Sequence, residues 1–229
     1  MSITQRLRQI YQIIQDTANQ CARNPQDIRL IGVTKGQSIK SLLEAYNAGL
    51  TEFAESYWQE AQTKLVQLSD LPITWHFIGP LQSNKTPAIA NHFSWIHSVS
   101  RDKIARLLAY HRNPNLPPLN ICIQVNLDAT PNKSGVDLSE AQNLAKLIQD
   151  LPNLKLRGLM AIPEPRDNEH DQYISFLRLT RLFNELNDSL HHQLDTLSMG
   201  MSHDFIAAIH ARSTMIRLGE AIFGSRQNK

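Results

Sequence analysis

Four stretches of the 229-residue sequence carry side chains whose types and positions could do chemistry. The first holds Lys35, directly after the apolar run Leu30-Ile31-Gly32-Val33-Thr34. A lysine there is either a solvated residue at a strand end or an amine desolvated by its surroundings. Burial lowers a lysine pKa and frees the neutral amine, the nucleophile that condenses with an aldehyde. The second stretch is Arg217-Leu218-Gly219, after Met215-Ile216. An arginine inside a strand pattern is costly unless it is paired or faces a polar site. Gly219 permits close backbone approach by a ligand. Upstream of it, Ser198-Met199-Gly200-Met201-Ser202 leads to Asp204 at a helix start. The N–H groups there suit an anion, or serve ordinary turn and capping chemistry.

The third stretch runs from Trp75 to Lys85 and places Gln82, Asn84 and Lys85 after a strand that ends in Gly79. Its His76 faces either the core or the outer helices. The fourth is Glu55-Ser56-Tyr57. Other constellations fail on spacing. Ser202-His203-Asp204 has the letters of a triad, but consecutive residues cannot form a nucleophile–base–orienter relay. His191-His192 and Glu169-His170 lack HExxH spacing, so no metal is assigned. Cys21 and Cys122 match no ligand spacing, and a reduced pair with an inert core Cys122 is expected.

These candidates need elements to hold them. Short apolar runs rich in β-branched residues alternate with amphipathic helices along the whole chain. The strand candidates are IRLIGVT, TEFAE, TWHFIG, SWIHSV, LNICIQVNL, LKLRGLMAI, TLSMG and a last one within MIRLGEAIFG. Ser38 opens a helix with Leu42, Leu43 and Tyr46 on one face and Gly49 at its end. An acidic first turn from Asp137 to Glu140 begins another, and a long helix runs from about Glu169 to about His192. Eight strands separated by helices imply parallel pairing and a (β/α)8 TIM barrel, one domain over residues 1–229. An open doubly wound sheet is the alternative, but Gly32-Val33-Thr34-Lys35-Gly36 is not GxGxxG. In a barrel, all four stretches fall at the C-terminal ends of strands, where such folds keep their sites.

Composition removes several classes. Lys+Arg number 23 against Asp+Glu at 21, so no electrostatic footprint for nucleic acid exists. No run approaches about 18 consecutive apolar residues, so no membrane span is expected. The first residues carry Ile3, Leu7, Ile10 and Ile14 as a helical stripe rather than a signal peptide, so a cytoplasmic protein is expected.

Taken together the motifs resemble the YggS/PROSC family of pyridoxal 5′-phosphate (PLP) homeostasis proteins. LIGVTK, FAESYWQE, WHFIGPLQSNK, IHSVS, VNLDATPNKSG, GLMAIP, LSMGMSHDFIAAI and STMIRLGEAIFGSR occur in order, nearly end to end. The resemblance implies a PLP barrel similar to the barrel domain of alanine racemase. It implies Lys35 as the Schiff-base lysine and Arg217 facing the ring nitrogen. Phosphate contacts are implied at Met201, Ser202, Gly219 and Glu220, with Ser56 near the cofactor. Family function implies holding and delivering PLP, with apo PLP-dependent enzymes as recipients, no catalytic residue and no metal. A monomer is expected. Racemases of this class add a C-terminal domain with a second acid/base group, and the chain is expected to lack it. The alternatives are a PLP-dependent racemase or decarboxylase with a small substrate, and a barrel aldolase using Lys35.

The sequence departs from the family pattern at several points. Ala54 and Ser56 stand where Gly and Asn are usual, Thr130 where Glu is, Arg212 where Gly is common, and Glu220 where Thr or Ser is frequent. A carboxylate beside a phosphate would repel it, so Glu220 is expected to serve through its N–H alone.

Overall fold

A computed structural model describes residues 1–130, 133–191 and 193–224. Eight strands, β1 (Arg29–Val33), β2 (Glu52–Glu55), β3 (Thr74–Phe77), β4 (Trp95–Val99), β5 (Leu119–Val125), β6 (Leu154–Ala161), β7 (Thr196–Ser198) and β8 (Met215–Leu218), close into a barrel. Every neighbouring pair is parallel, and β8 closes on β1 with Ile31 opposite Arg217. The expected (β/α)8 fold is therefore the observed one. The helices α1 (Ile3–Gln20), α2 (Ile39–Asn47), α3 (Trp58–Gln67), α4 (Thr86–His92), α5 (Asp102–His111), α6 (Ala141–Gln149), α7 (Glu169–Ser189), α8 (Phe205–His210) and α9 (Glu220–Phe223) surround it. Among the described residues no helix is long and apolar enough to cross a membrane.

Strand alternation divides the core in two. Leu30, Phe53, Phe77, Ile96 and Leu159 belong to the large layer between barrel and helices. Ile31, Val33, Ala54, Trp95, Cys122, Met160 and Met215 fill the barrel itself. Cys122 is fully buried and free, and burial pushes its thiol up to about 12, which makes it inert. The N-terminal end of the barrel is closed by charge. Arg29 and Arg157 lie over the Trp95 ring at 4.8 and 4.7 Å. Arg29 grips Glu52 at 2.8 and 2.6 Å, and Arg157 pairs with Asp195 at 2.5 Å.

Several local expectations shift. Leu43 is exposed while Leu42 is buried, because the helix buries a narrower stripe than the sequence suggested. Asp137 to Glu140 form a turn that leads into α6 at Ala141 rather than the helix's first turn. The long helix α7 closes at Ser189, and His192 lies outside the described residues. So do Pro131 and Asn132, and Ser225 and Arg226 at the end of the last family-like motif. MIRLGEAIFG is a strand only to Leu218, after which Glu220 opens α9.

Two helix ends share one geometry. After α2, Gly49 (φ 97°) donates to the Tyr46 carbonyl and Leu50 to Ala45. This is a Schellman closure, and glycine supplies the left-handed residue. After α8 the same pair of bonds forms, Arg212 N–H to Ile209 and Ser213 N–H to Ala208, with Arg212 at φ 75°. A side-chain-bearing residue is strained there by about 1–2 kcal/mol. Arg212→Gly should therefore raise stability by about 0.5–1 kcal/mol after the extra flexibility of unfolded glycine is subtracted. Urea denaturation of the two proteins checks it. A loss of stability would mean that the Arg212 side chain holds the fold by contacts that outweigh the strain.

Candidate functional site

The site is built at the C-terminal end of the barrel, where β1, β2, β7 and β8 deliver their last residues. Ile31 and Val33 point into the barrel. Lys35 is next in that series of alternate residues, half-buried in the turn after β1. A clamp from the neighbouring elements fixes this turn. Lys64 Nζ donates at 2.6 Å to the Thr34 carbonyl and at 2.6 Å to Glu55 Oε1. The Thr34 hydroxyl donates its one proton to Glu55 Oε1 and lies 3.1 Å from the Ala54 carbonyl. Gly36 N–H donates to Glu60 Oε2 at 2.7 Å. The flanks of Lys35 are thus pinned on both sides by one buried ion pair and one carboxylate. Burial pushes the Glu55 carboxyl up, against the opposing pull of Lys64 and Thr34.

Arg217 lies across the strand boundary from Lys35. It is 3% exposed, yet among the described residues no carboxylate approaches within 4 Å. Its Nη1 donates to Ser198 Oγ at 2.6 Å and its Nη2 to the Ala161 carbonyl at 3.2 Å. Burial lowers its pKa to about 10, partly opposed by the Asp204 charge, so it stays cationic at neutral pH.

The two loops above β7 and β8 meet through Ser202, whose Oγ accepts the Ala221 N–H at 3.2 Å. The Met201 N–H is already committed to Asp204 Oδ1 at 2.6 Å, so Met201 offers a ligand no free backbone donor. Asp204 thus caps its own turn, and His203 projects into solvent at 87% exposure, so Ser202-His203-Asp204 forms no triad. Gly219 and Glu220 open α9, where first-turn N–H groups have no intrahelical partner. The Glu220 carboxylate turns outward, 3.9 Å from His203. Ser56 is half-buried at the end of β2. Gly79 packs on its carbonyl so closely that a Cβ there would sit 1.8 Å from the oxygen. Gln82, Asn84 and Tyr57 are exposed. A separate cavity of about 390 Å³ opens on the same end between the loops after β3, β4 and β5, lined by Leu81, Ser98, Arg101 and Gln124. Among the described residues no cluster could hold a metal ion.

Below this face lies a group that sequence reading did not assemble. His76 points into the barrel, not to the helices, and is fully buried with His97. Their rings join at 2.9 Å. His76 reaches Glu52 at 3.0 Å and His97 reaches Ser198 at 2.7 Å. The alternation of Trp95 and His97 on one face of β4 was the available clue. Burial lowers the pKa of both histidines, His97 well below the ordinary value. Unfolding exposes them, so between their native pKa values and about 6.5 the unfolded chain binds more protons than the native one. Glu52, Arg29 and Arg217 are the ionisable groups that act on this pair. Stability should be full above pH ~6.5 and fall by about 1–3 kcal/mol on going to pH ~5.5. Denaturant titrations at the two pH values check it, and equal stabilities would contradict it.

A family model described as alanine racemase, N-terminal domain, matches residues 6–227. The pyridoxal phosphate homeostasis protein of Pseudomonas aeruginosa is 46% identical over 225 residues, covering 98% of this chain and 96% of that protein. Its counterpart in Escherichia coli K12 is 43% identical over 227 residues, covering 98% and 97%. Among solved structures, PipY of Synechococcus elongatus with PLP bound superposes with a TM-score of 0.81 at 33% identity, over 93% of this chain and all (100%) of PipY. Alanine racemase of Corynebacterium glutamicum shares the fold at a TM-score of 0.68 and 15% identity, and this chain spans 61% of its length.

Proposed function

We propose, from the premise that the chain belongs to the family of pyridoxal phosphate homeostasis proteins, that it binds pyridoxal 5′-phosphate at the barrel mouth and holds it for delivery. The observation that carries this reading is Arg217. A buried guanidinium with no carboxylate partner among the described residues calls for a further acceptor from outside the chain. An anionic, nitrogen-containing ring meets that need, and a primary amine stands on the adjacent strand's turn.

Pyridoxal phosphate supplies an aldehyde that condenses with a primary amine and releases water. Lys35 provides the amine, held at a fixed height by the Thr34–Glu55–Lys64 clamp. Arg217 would hold the ring nitrogen. As a permanent cation it disfavours protonation of that nitrogen, which weakens the ring as an electron acceptor. The Ser202 hydroxyl and the N–H groups of Gly219 and Glu220 would hold the phosphate, and Ser56 would line the β2 side. Met201 contributes through its position in the turn, since its N–H is spent on Asp204.

Holding, rather than turnover, is the reading that the proton carriers at the mouth among the described residues favour. Inversion at carbon needs two positioned groups on opposite faces. His76 is buried and committed to Glu52 and His97, and Tyr57 is 54% exposed. Apo-enzymes that need the cofactor are the partners this function requires, and the protein acts as a cytoplasmic monomer.

The purified protein should be yellow, and borohydride should fix the cofactor to the peptide that carries Lys35. Light scattering on the same sample should give one chain per particle. Labelling of Lys85 or Lys133 instead would overturn the assignment of the amine. No labelling at all would overturn the cofactor reading.

A further inference from the structure

We propose that Ser198, His97 and His76 form a hydrogen-bond relay of fixed polarity that positions Arg217 and anchors it to the Glu52–Arg29 ion pair at the opposite end of the barrel. The contacts are Arg217 Nη1 to Ser198 Oγ at 2.6 Å, Ser198 Oγ to His97 Nδ1 at 2.7 Å, His97 Nε2 to His76 Nδ1 at 2.9 Å, and His76 Nε2 to Glu52 Oε2 at 3.0 Å. Arg29 closes the chain on both Glu52 oxygens at 2.8 and 2.6 Å.

The polarity is dictated by the ends. An arginine can only donate and a carboxylate can only accept. The Glu52 carboxylate therefore requires a proton on His76 Nε2. A neutral His76 then has a bare Nδ1, which accepts from His97 Nε2. His97 Nδ1 is bare in turn and accepts the Ser198 hydroxyl proton. The Ser198 oxygen is left with lone pairs for Arg217. Every donor and acceptor is used once along the path. The opposite polarity would set a bare His76 nitrogen against the Glu52 carboxylate. An added proton would put a second cation beside Arg217 in the buried barrel interior. Both histidines are fully buried, so no solvent competes for these atoms.

This chain crosses six strands, β8, β7, β4, β3, β2 and β1, through the middle of the barrel. Ser198 and the Ala161 carbonyl take a donor from each of the two terminal nitrogens of Arg217. These two bonds set the guanidinium plane. Ser198, His97 and His76 act through Arg217, so they are positioning residues. The inference rests on the reading that Arg217 faces the cofactor ring nitrogen.

Two measurements test it. The first uses apo-protein labelled with ¹⁵N-histidine at pH 7.5. Long-range ¹H–¹⁵N spectra should show His76 and His97 both neutral and both protonated at Nε2. A proton on Nδ1 of either ring, or an imidazolium, overturns the relay. The second follows release of pyridoxal phosphate from the loaded protein by its visible absorbance. Ser198→Ala should release it about tenfold faster and move the absorbance maximum, and Ser198→Thr should restore both. Release and spectrum unchanged in Ser198→Ala overturn the positioning role. If Ser198→Ala fails to fold, His97→Gln takes its place in the release assay, with the same expectation. The tautomer result needs no cofactor, so it stands or falls separately from labelling at Lys35.

Discussion

Lys64→Met is expected to destabilise the protein by about 3–5 kcal/mol, the loss typical of breaking a buried ion pair from one side. Glu55 is fully buried and Lys64 is 6% exposed. Among the described residues Glu55 Oε2 has no hydrogen-bond partner, and Lys64 and Thr34 compensate the charge at Oε1. Removing the ammonium also strips the Thr34 carbonyl of its 2.6 Å donor. The Lys64→Met/Glu55→Leu double variant should recover much of the loss, because two apolar residues of similar size tolerate this layer better than one unpaired charge. Denaturant unfolding of the single and double variants measures it. A single-variant loss below about 1 kcal/mol would place the pair among the weakly contributing salt bridges. The same substitution loosens the turn that carries Lys35, so cofactor capture should slow in the folded fraction.

Arg217→Gln should divide binding from stability. Losing a buried, charge-assisted donor typically costs a complex about 2–5 kcal/mol, so affinity for pyridoxal phosphate should fall by roughly 30-fold or more. The apo-protein should hold its stability or gain some. It no longer buries a guanidinium without a carboxylate, and a glutamine amide can still donate to Ser198. Equilibrium dialysis and thermal unfolding of the apo form give the two numbers. Unchanged affinity would assign Arg217 to the structure alone. A large loss of apo stability would show that the relay through Ser198 and His97 carries the barrel more than it carries the ligand.

The barrel was legible in the sequence because its determinants are local. A strand shows apolar runs with a two-residue repeat and a helix shows a 3.6-residue repeat, whichever neighbour each will meet. Eight alternations of the two leave few topologies. Lys35 and Arg217 stand out in the sequence for a related reason. A charged residue set at or inside an apolar run has to face something other than hydrocarbon.

Tertiary structure alone decided which polar groups share a charge or a proton. Lys64 reads as one more polar position on an amphipathic helix, and it became buried because Glu55 and the Thr34 carbonyl stand opposite it. His76 could have faced either layer. Its place was set when barrel closure brought His97 to one of its nitrogens and Glu52 to the other. Met201 and Asp204 are three residues apart, yet no spacing rule says that the carboxylate takes that N–H rather than leaving it for a ligand. Desolvating a polar group is unfavourable until a partner is supplied, and that partner comes from another strand. Periodicity therefore determines which face is apolar. The identity of the groups across the barrel determines which buried polar atom is tolerated there and what it can do.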